Sequence, residues 1–365
     1  MRTYTDAISA VIRAIRGHGY VASLDVVKSG VCSGMNNFFL AAHWTRYKTT
    51  TAVHCHAPQT SGTVSYDAST RTASLTGASF PAWADGCAIV IRGEYGRIAE
   101  VLSPSTARLM FGPDSDKTGA SYVLYHDRVK LPADAVSVMA VNSRLQSHLS
   151  TVSPERLQAW EVESVVSGVP YAVAVESASD GRYLRFWPYP GQKMTYYIMY
   201  RRSPGMLLYT GREEQDYAGL VNVAGDAVSG TGTAFHSGMV GLVFRVSRNT
   251  ELPTGIDGSN PYAGESLVSA VTSSTAMQLR DAIGNWSGRK YCVASLLDVD
   301  DWAYNALIGF ALDETARLIG AKIAVDLAAD MDAALAADVS QSQGTIYGTA
   351  SQVRTRYIYP MVSGN

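Results

Sequence analysis

The sequence predicts an α+β fold: a discontinuous helical core with a small antiparallel β meander, two inserted and duplicated all-β modules, a long C-terminal helix and an extended C-terminal arm. Three observations carry this prediction. Helical periodicity occurs near both ends of the chain, β-branched segments recur between them, and one set of those segments repeats another. At 365 residues the chain is long enough for two or three compact units.

The composition excludes several classes of protein. Charged residues make up 17% of the chain and hydrophobic residues 47%, a balance that excludes intrinsic disorder. The formal net charge of −2 gives no excess of Lys and Arg for wrapping DNA, so we expect any contact with DNA to be passive. Cys32, Cys55, Cys87 and Cys292 form no CxxC pair and predict neither a zinc site nor a disulfide framework. We also expect no signal peptide and no membrane span, because charges interrupt the apolar stretch 302–337.

The N-terminal region predicts two helices. Residues 4–16 form the first, because Ile8, Val11 and Ile15 share one face and Gly17 follows them. The second is predicted at 34–48, and the alternating residues 49–57 predict a strand.

An internal repeat occupies residues 61–127 and 218–297. Residues 77–80 match 232–235, 88–92 match 241–245, 105–107 match 274–276, and 119–122 match 288–291. Both copies contain β-branched runs separated by Gly and Ser, which is typical of a small sandwich or barrel. We interpret them as twin β-modules; chance similarity between Gly- and Ser-rich segments is the alternative.

Residues 171–175, 183–187 and 194–202 predict a three-stranded meander. The last strand is apolar on both faces, and such strands are covered twice, by the chain's own helices or by a neighbouring copy. Tyr196 and Tyr197 are therefore expected to act as interface anchors.

The C-terminal region is helical in the sequence pattern. Residues 300–339 predict one long helix or two abutting ones, supported by the i,i+4 pairs Asp313/Arg317 and Lys322/Asp326. Residues 340–365 form the arm, whose basic and aromatic residues are typical of a segment that orders on a partner.

No residue pattern predicts catalysis. His54, Cys55 and His56 are the densest group of metal ligands, but nothing completes a tetrahedral set, so no metal site is predicted. Residues 230–235 are rich in glycine, lack the Lys-Ser/Thr of a phosphate loop and predict a turn. The acidic groups are interpreted as solvated faces or helix caps; they are Glu213/Glu214/Asp216, Asp298/Asp300/Asp301 and Asp326/Asp330/Asp332. We therefore predict no enzyme activity, no catalytic residue and no cofactor.

The order of several motifs resembles the head–tail adaptor (connector or gateway) proteins of tailed bacteriophages. The matching pieces are the helix pair ending at Trp44, residues 131–134, 153–157, 170–171, 183–188 and 196–204, and the Ala-rich C-terminal helix. The resemblance implies an adaptor core made of residues 1–60, 128–217 and 298–339. The modules at 61–127 and 218–297 are then additions, followed by the arm at 340–365.

This resemblance implies a structural virion protein at the head–tail junction, assembled in the host cytoplasm. It implies a ring, commonly a dodecamer, that contacts the portal protein and the tail tube, nozzle or fibre proteins, with passive contact to passing double-stranded DNA. In such a ring Asp326, Asp330 and Asp332 would line the lumen and repel phosphates. The residues expected to bind the portal are Arg354, Arg356, Tyr357, Ile358, Tyr359 and Met361.

Two other functions remain open. The β-modules also fit a host-recognition, tail or baseplate component that binds surface carbohydrate, although fibres usually contain long repetitive trimerisation segments. The paired acidic groups also fit a glycoside hydrolase.

Overall fold

A computed structural model describes residues 1–145, 148–253 and 262–341. Within these ranges the fold is a mixture of helix (25%) and strand (40%), with antiparallel sheets that include two half-barrels. The helices are α1 (Tyr4–Gly17), α2 (Leu24–Ala41), α3 (Pro154–Glu163), α4 (Tyr304–Ile319) and α5 (Leu327–Gln341). Single 3-10 turns lie at Thr45–Tyr47, Glu214–Asp216, Ser237–Met239 and Asp301–Ala303.

The strands follow one another in the order below. They are β1 (Lys48–Cys55), β2 (Thr63–Asp67), β3 (Thr72–Thr76), β4 (Ala88–Ile91), β5 (Glu94–Ser103), β6 (Thr106–Phe111), β7 (Lys117–Ala120), β8 (Tyr122–Tyr125), β9 (Arg128–Lys130), β10 (Ala135–Ser143), β11 (Ser150–Val152), β12 (Ser167–Gly168), β13 (Ala172–Ala178), β14 (Gly181–Trp187), β15 (Tyr189–Pro190), β16 (Met194–Arg202), β17 (Leu220–Ala224), β18 (Ala227–Thr231), β19 (Val243–Ser247), β20 (Tyr262–Ser273), β21 (Ala276–Leu279), β22 (Asn285–Arg289) and β23 (Tyr291–Ala294).

The chain divides into two compact units. The first combines Met1–Tyr47 with the chain from Pro204 onward, and the second is the continuous segment Lys48–Ser203. Each unit contains one seven-stranded half-barrel. The predicted adaptor core, residues 1–60, 128–217 and 298–339, is therefore shared between the two units.

In the first unit, α1, α2 and α4 pack around one apolar core. The predicted helix at 4–16 is confirmed as α1, and Thr3 and Asp6 form a capping box at its start. The second helix begins ten residues before the predicted position and ends at Ala41, and Ser23 caps it. The predicted bounds 34–48 were thus wrong at both ends. Gly30 and Gly34 let α2 approach α4 closely: a Cβ at Gly34 would lie 2.5 Å from the Cα of Ala311.

The C-terminal region contains two helices rather than one. Gly320 adopts a left-handed conformation (φ 67°) and ends α4. The predicted ion pair between Asp313 and Arg317 is present at 2.7 Å. The second pair does not form as predicted, because Lys322 and Asp326 lie in the non-helical link before α5.

The predicted meander is wrong in its last strand. In the second unit β13 pairs with β14, which pairs with β9, while β16 lies between β1 and β10 in a separate sheet. After Trp187 the chain leaves the sheet that contains β13 and β14, because the next strand, β15, pairs with β12. The two sheets then share an apolar core, in which Phe186 stacks on Tyr196 with ring centroids 4.2 Å apart.

The two half-barrels have the same strand order. The first runs β7-β2-β3-β6-β5-β4-β8, and the second runs β22-β17-β18-β21-β20-β19-β23. The strand numbers of the second half-barrel exceed those of the first by fifteen at every position. The two sheets therefore have the same topology. Their strands fall within the predicted module boundaries 61–127 and 218–297.

Backbone details repeat as well. The N–H of Phe80 donates to the carbonyl of Pro104 in one half-barrel, and the N–H of Phe235 donates to Ser274 in the other. Gly62 and Gly219 precede the first strands with φ of 78° and 79°. These equivalences make chance similarity of glycine-rich sequence a poor explanation of the repeat.

One predicted match in the repeat is shifted. Ile91 pairs with the tyrosine that begins β8, and Val246 pairs with the tyrosine that begins β23. The match of 88–92 with 241–245 is therefore displaced by two residues. Arg92 is exposed in a turn (φ 50°), whereas Arg245 is buried in a strand.

Candidate interaction surfaces

The sheet formed by β1, β16 and β10 has one buried and one exposed face. Tyr196 and Ile198 are buried in the shared core of the second unit, whereas Tyr197 and Met199 are each 40% exposed. Met139 on β10 is also 40% exposed. Of the two tyrosines predicted as interface anchors, only Tyr197 is thus available to a partner. An exposed apolar sheet face of this kind is typical of a protein–protein contact.

A second apolar surface lies at the C-terminal end of α3. Val162, Val165, Val166 and Val169, here called the valine ridge, are between 37% and 77% exposed. Four exposed branched apolar side chains thus lie within eight residues of the chain, and exposed apolar residues that cluster in this way mark an interaction site more strongly than isolated ones do.

Two shallow grooves flank the valine ridge. The first, of about 200 Å³, is lined by Trp160, Tyr171 and Trp187, and the ring centroids of Trp160 and Tyr171 are 6.2 Å apart. The second, of about 450 Å³, is lined by Tyr95 and Phe111 together with residues of the ridge. Glu163 and Ser164 line both grooves.

A buried ion network lies beneath these grooves. Arg97 on β5 donates to Asp127 and to Glu161, each across 2.9 Å, and Arg185 on β14 pairs with Glu161 and Glu176. Burial raises the pKa of Glu161, against the lowering effect of the two guanidinium groups. The network joins the half-barrel to α3 and holds the floor of the second groove in place.

A comparable buried ion network occurs in the first unit; in both units we call the arginine with its carboxylate partners a clamp. Arg245 on β19 lies 2.9 Å from Asp6 on α1 and 3.1 Å from Glu265, and it is 1% exposed. Each half-barrel is thus joined to its own unit through a buried arginine. The sequence prediction missed both clamps, because an isolated arginine in a strand carries no sign of burial.

Most of the predicted acidic groups have structural roles. Asp298 and Asp300 bind Arg46 at 2.8 and 2.6 Å. Asp216 is buried and accepts the N–H of Gly211 at 2.9 Å, and burial raises its pKa. Asp298, Asp300 and Asp216 thus lie in ion pairs or in the interior, which differs from the predicted solvated faces and helix caps.

The predicted lumen residues lie at and just before the start of α5. Asp326 and Asp332 are exposed, and Asp330 is partly buried. Asp326 accepts the N–H of Ala329 at 3.2 Å and so caps the helix. The other predicted binding residues, 354–361, lie outside the described residues.

The histidine cluster is divided among different environments. His54 is exposed beside the hydroxyl of Thr195 at 3.0 Å, and Cys55 is buried. His56 stacks on His126, with ring centroids 5.1 Å apart. Within the described ranges no three His, Cys, Asp or Glu side chains come together as a metal site.

His126 is buried and was not identified from the sequence. Its Nδ1 accepts the backbone N–H of His56 at 2.9 Å, and its ring stacks on Trp83 at 4.6 Å. Burial and the neighbouring His56 lower the pKa of His126 to about 4. The neutral ring thus links the end of β1 to the half-barrel.

Comparisons of the chain with protein-family models, with curated proteins and with solved structures found no match. Among the described residues, no helix has the length and apolar character required to cross a membrane.

Proposed function

We propose that this protein is a structural virion component that forms a ring between the portal of a tailed bacteriophage and its tail and lines the passage for DNA. The observation that carries the proposal is the face of the β1-β16-β10 sheet on which Tyr197 and Met199 are each 40% exposed. The order of the core motifs along the chain, which resembles that of adaptor proteins, supports the same conclusion.

Ring closure requires two unlike surfaces on one chain. The open sheet face of the second unit would supply one of these surfaces. The portal is the proposed partner of residues 354–361, and tail tube, nozzle or fibre proteins are the proposed partners on the other side. The exposed Asp326 and Asp332 would face the DNA and repel its phosphates.

Negative-stain microscopy and sedimentation of the purified protein, alone and with portal, test this proposal. We expect rings from the native chain and none from Tyr197→Asp, because a carboxylate on the sheet face would be buried in the contact. Leu102→Asp is the control, since Leu102 is 56% exposed on the half-barrel and should leave rings intact. A native chain that remains monomeric, or rings that do not dock onto portal, would contradict the proposal.

A truncation ending at Gln352 separates the two contacts. It should still form rings but lose affinity for portal, because it removes the basic and aromatic segment. Unchanged portal affinity would remove residues 354–361 from the contact.

A further inference from the structure

The valine ridge is exposed, and a groove lies on each side of it. We infer that they bind residues 354–361 of a neighbouring copy of the chain. This inference deepens the proposed function and rests on it, because the ring supplies the neighbour.

The chemistry of the two partners is complementary. The grooves combine exposed valines with aromatic walls, and residues 357–361 read Tyr-Ile-Tyr-Pro-Met. Removing apolar side chains of this kind from water is favourable. The rim of both grooves carries Glu163, while Arg354 and Arg356 stand at the start of the segment. Each contact thus pairs unlike charges around an apolar centre, the usual anatomy of a specific interface.

The charge beneath the second groove adds to this match. Three carboxylates, Asp127, Glu161 and Glu176, face the two guanidinium groups of Arg97 and Arg185. The groove therefore favours a cationic segment over an anionic one. The network also fixes the groove floor, which lowers the ordering cost of binding.

Chain length permits the contact. Residue 354 follows the end of α5 by 13 residues, and that many residues reach up to about 45 Å when extended. The segment can therefore reach the grooves of a neighbouring copy that lie within this distance of the end of α5. In the free ring the segment would occupy the neighbour's grooves, and on docking it would pass to the portal.

The test places a photo-crosslinking amino acid at position 359 of the full-length chain. Equal amounts of ¹⁴N- and ¹⁵N-labelled protein are mixed before assembly, and crosslinked peptides are identified by mass spectrometry. We expect crosslinks to residues 160–171, with mixed-isotope peptides showing that they join two copies. Crosslinks confined to one chain, or directed elsewhere, would overturn the inference.

Charge variants sharpen the test. Glu163→Lys should lower the crosslink yield at least fivefold, and Arg354→Glu with Arg356→Glu should restore it. Glu155→Lys is the matched control, because Glu155 is exposed on the same helix but does not line the grooves. An equal loss in both lysine variants would contradict the inference.

The two proposals fail separately. Rings that form and dock onto portal without the crosslink would overturn this inference alone. The crosslink in a protein that does not dock onto portal would support the inference and overturn the portal contact.

Discussion

The Nη2 atom of Arg97 lies 2.9 Å from the carboxylate of Glu161, and both side chains are almost fully buried. Arg97 belongs to the half-barrel of the second unit, and Glu161 belongs to the helix that ends at the valine ridge. This pair therefore connects the stability of the module to the shape of the proposed binding grooves.

Breaking this network should be costly. We expect Arg97→Met to lower the free energy of unfolding by about 3–5 kcal/mol, because it leaves buried carboxylates without their partner. Urea unfolding followed by circular dichroism measures the change. The control is Arg108→Met, which removes an ion pair whose side chains are about half exposed and should cost less than about 1 kcal/mol. Equal losses would show that the network contributes no more than a surface pair.

The close contact of α2 with α4 should not tolerate a side chain. We expect Gly34→Ala to destabilise the protein by about 1–3 kcal/mol, since the new Cβ would overlap the backbone of Ala311. Gly17→Ala is the control, because nothing lies within 4 Å of a Cβ at that position. Alanine has a higher helix propensity than glycine, so without the close contact Gly34→Ala would raise the urea midpoint. Such an increase would contradict the close packing of α2 against α4.

Stability should depend on pH through His126. The folded pKa of about 4 is below the usual value of about 6.5, so the unfolded chain binds more protons between these values. This contribution to stability is complete above pH 6.5 and is lost as the pH falls toward 4, by about 3 kcal/mol in total.

Comparison of the native chain with His126→Asn at pH 4.5, 5.5 and 7 measures this effect. The asparagine oxygen keeps an acceptor for the N–H of His56 but does not titrate in this range. The difference in unfolding free energy between the native chain and the variant should decrease as the pH falls. A difference that does not change with pH would contradict the lowered pKa of His126.

The equivalent glycines of the two half-barrels should respond alike. Gly62→Ala and Gly219→Ala each combine a left-handed backbone with a clash against a strand carbonyl, of Thr76 or Thr231. We expect each to cost about 2 kcal/mol or more. Gly93→Ala is left-handed but meets no atom within 4 Å, so it should cost only about 1 kcal/mol. A large difference between Gly62→Ala and Gly219→Ala would contradict the equivalence of the modules.

Local sequence patterns predicted the parts of the fold that are determined by neighbouring residues. The first helix follows from the spacing of Ile8, Val11 and Ile15, and the repeat follows from motifs such as 77–80 and 232–235. The partner of β16 could not be predicted in this way, because β1 and β10 are distant in sequence. The close approach at Gly34 could not be predicted for a related reason: it depends on Ala311 in α4, almost 280 residues later.

The interaction surfaces were only partly predictable. Alternation in 194–202 predicted a strand with two apolar faces, and Tyr197 indeed lies exposed on one of them. The valine ridge was missed, because Val162 to Val169 lack a regular period across a helix end and a short strand. The buried clamps of Arg97 and Arg245 were missed because burial of a charge depends on tertiary partners.

The division of the chain has a consequence for its synthesis. The segment Lys48–Ser203 is continuous and can fold on the ribosome as soon as it emerges. The first two helices must wait for α4, which begins at Tyr304. At 5–20 residues per second this delay lasts roughly 15–50 s, during which their apolar faces are open to chaperones.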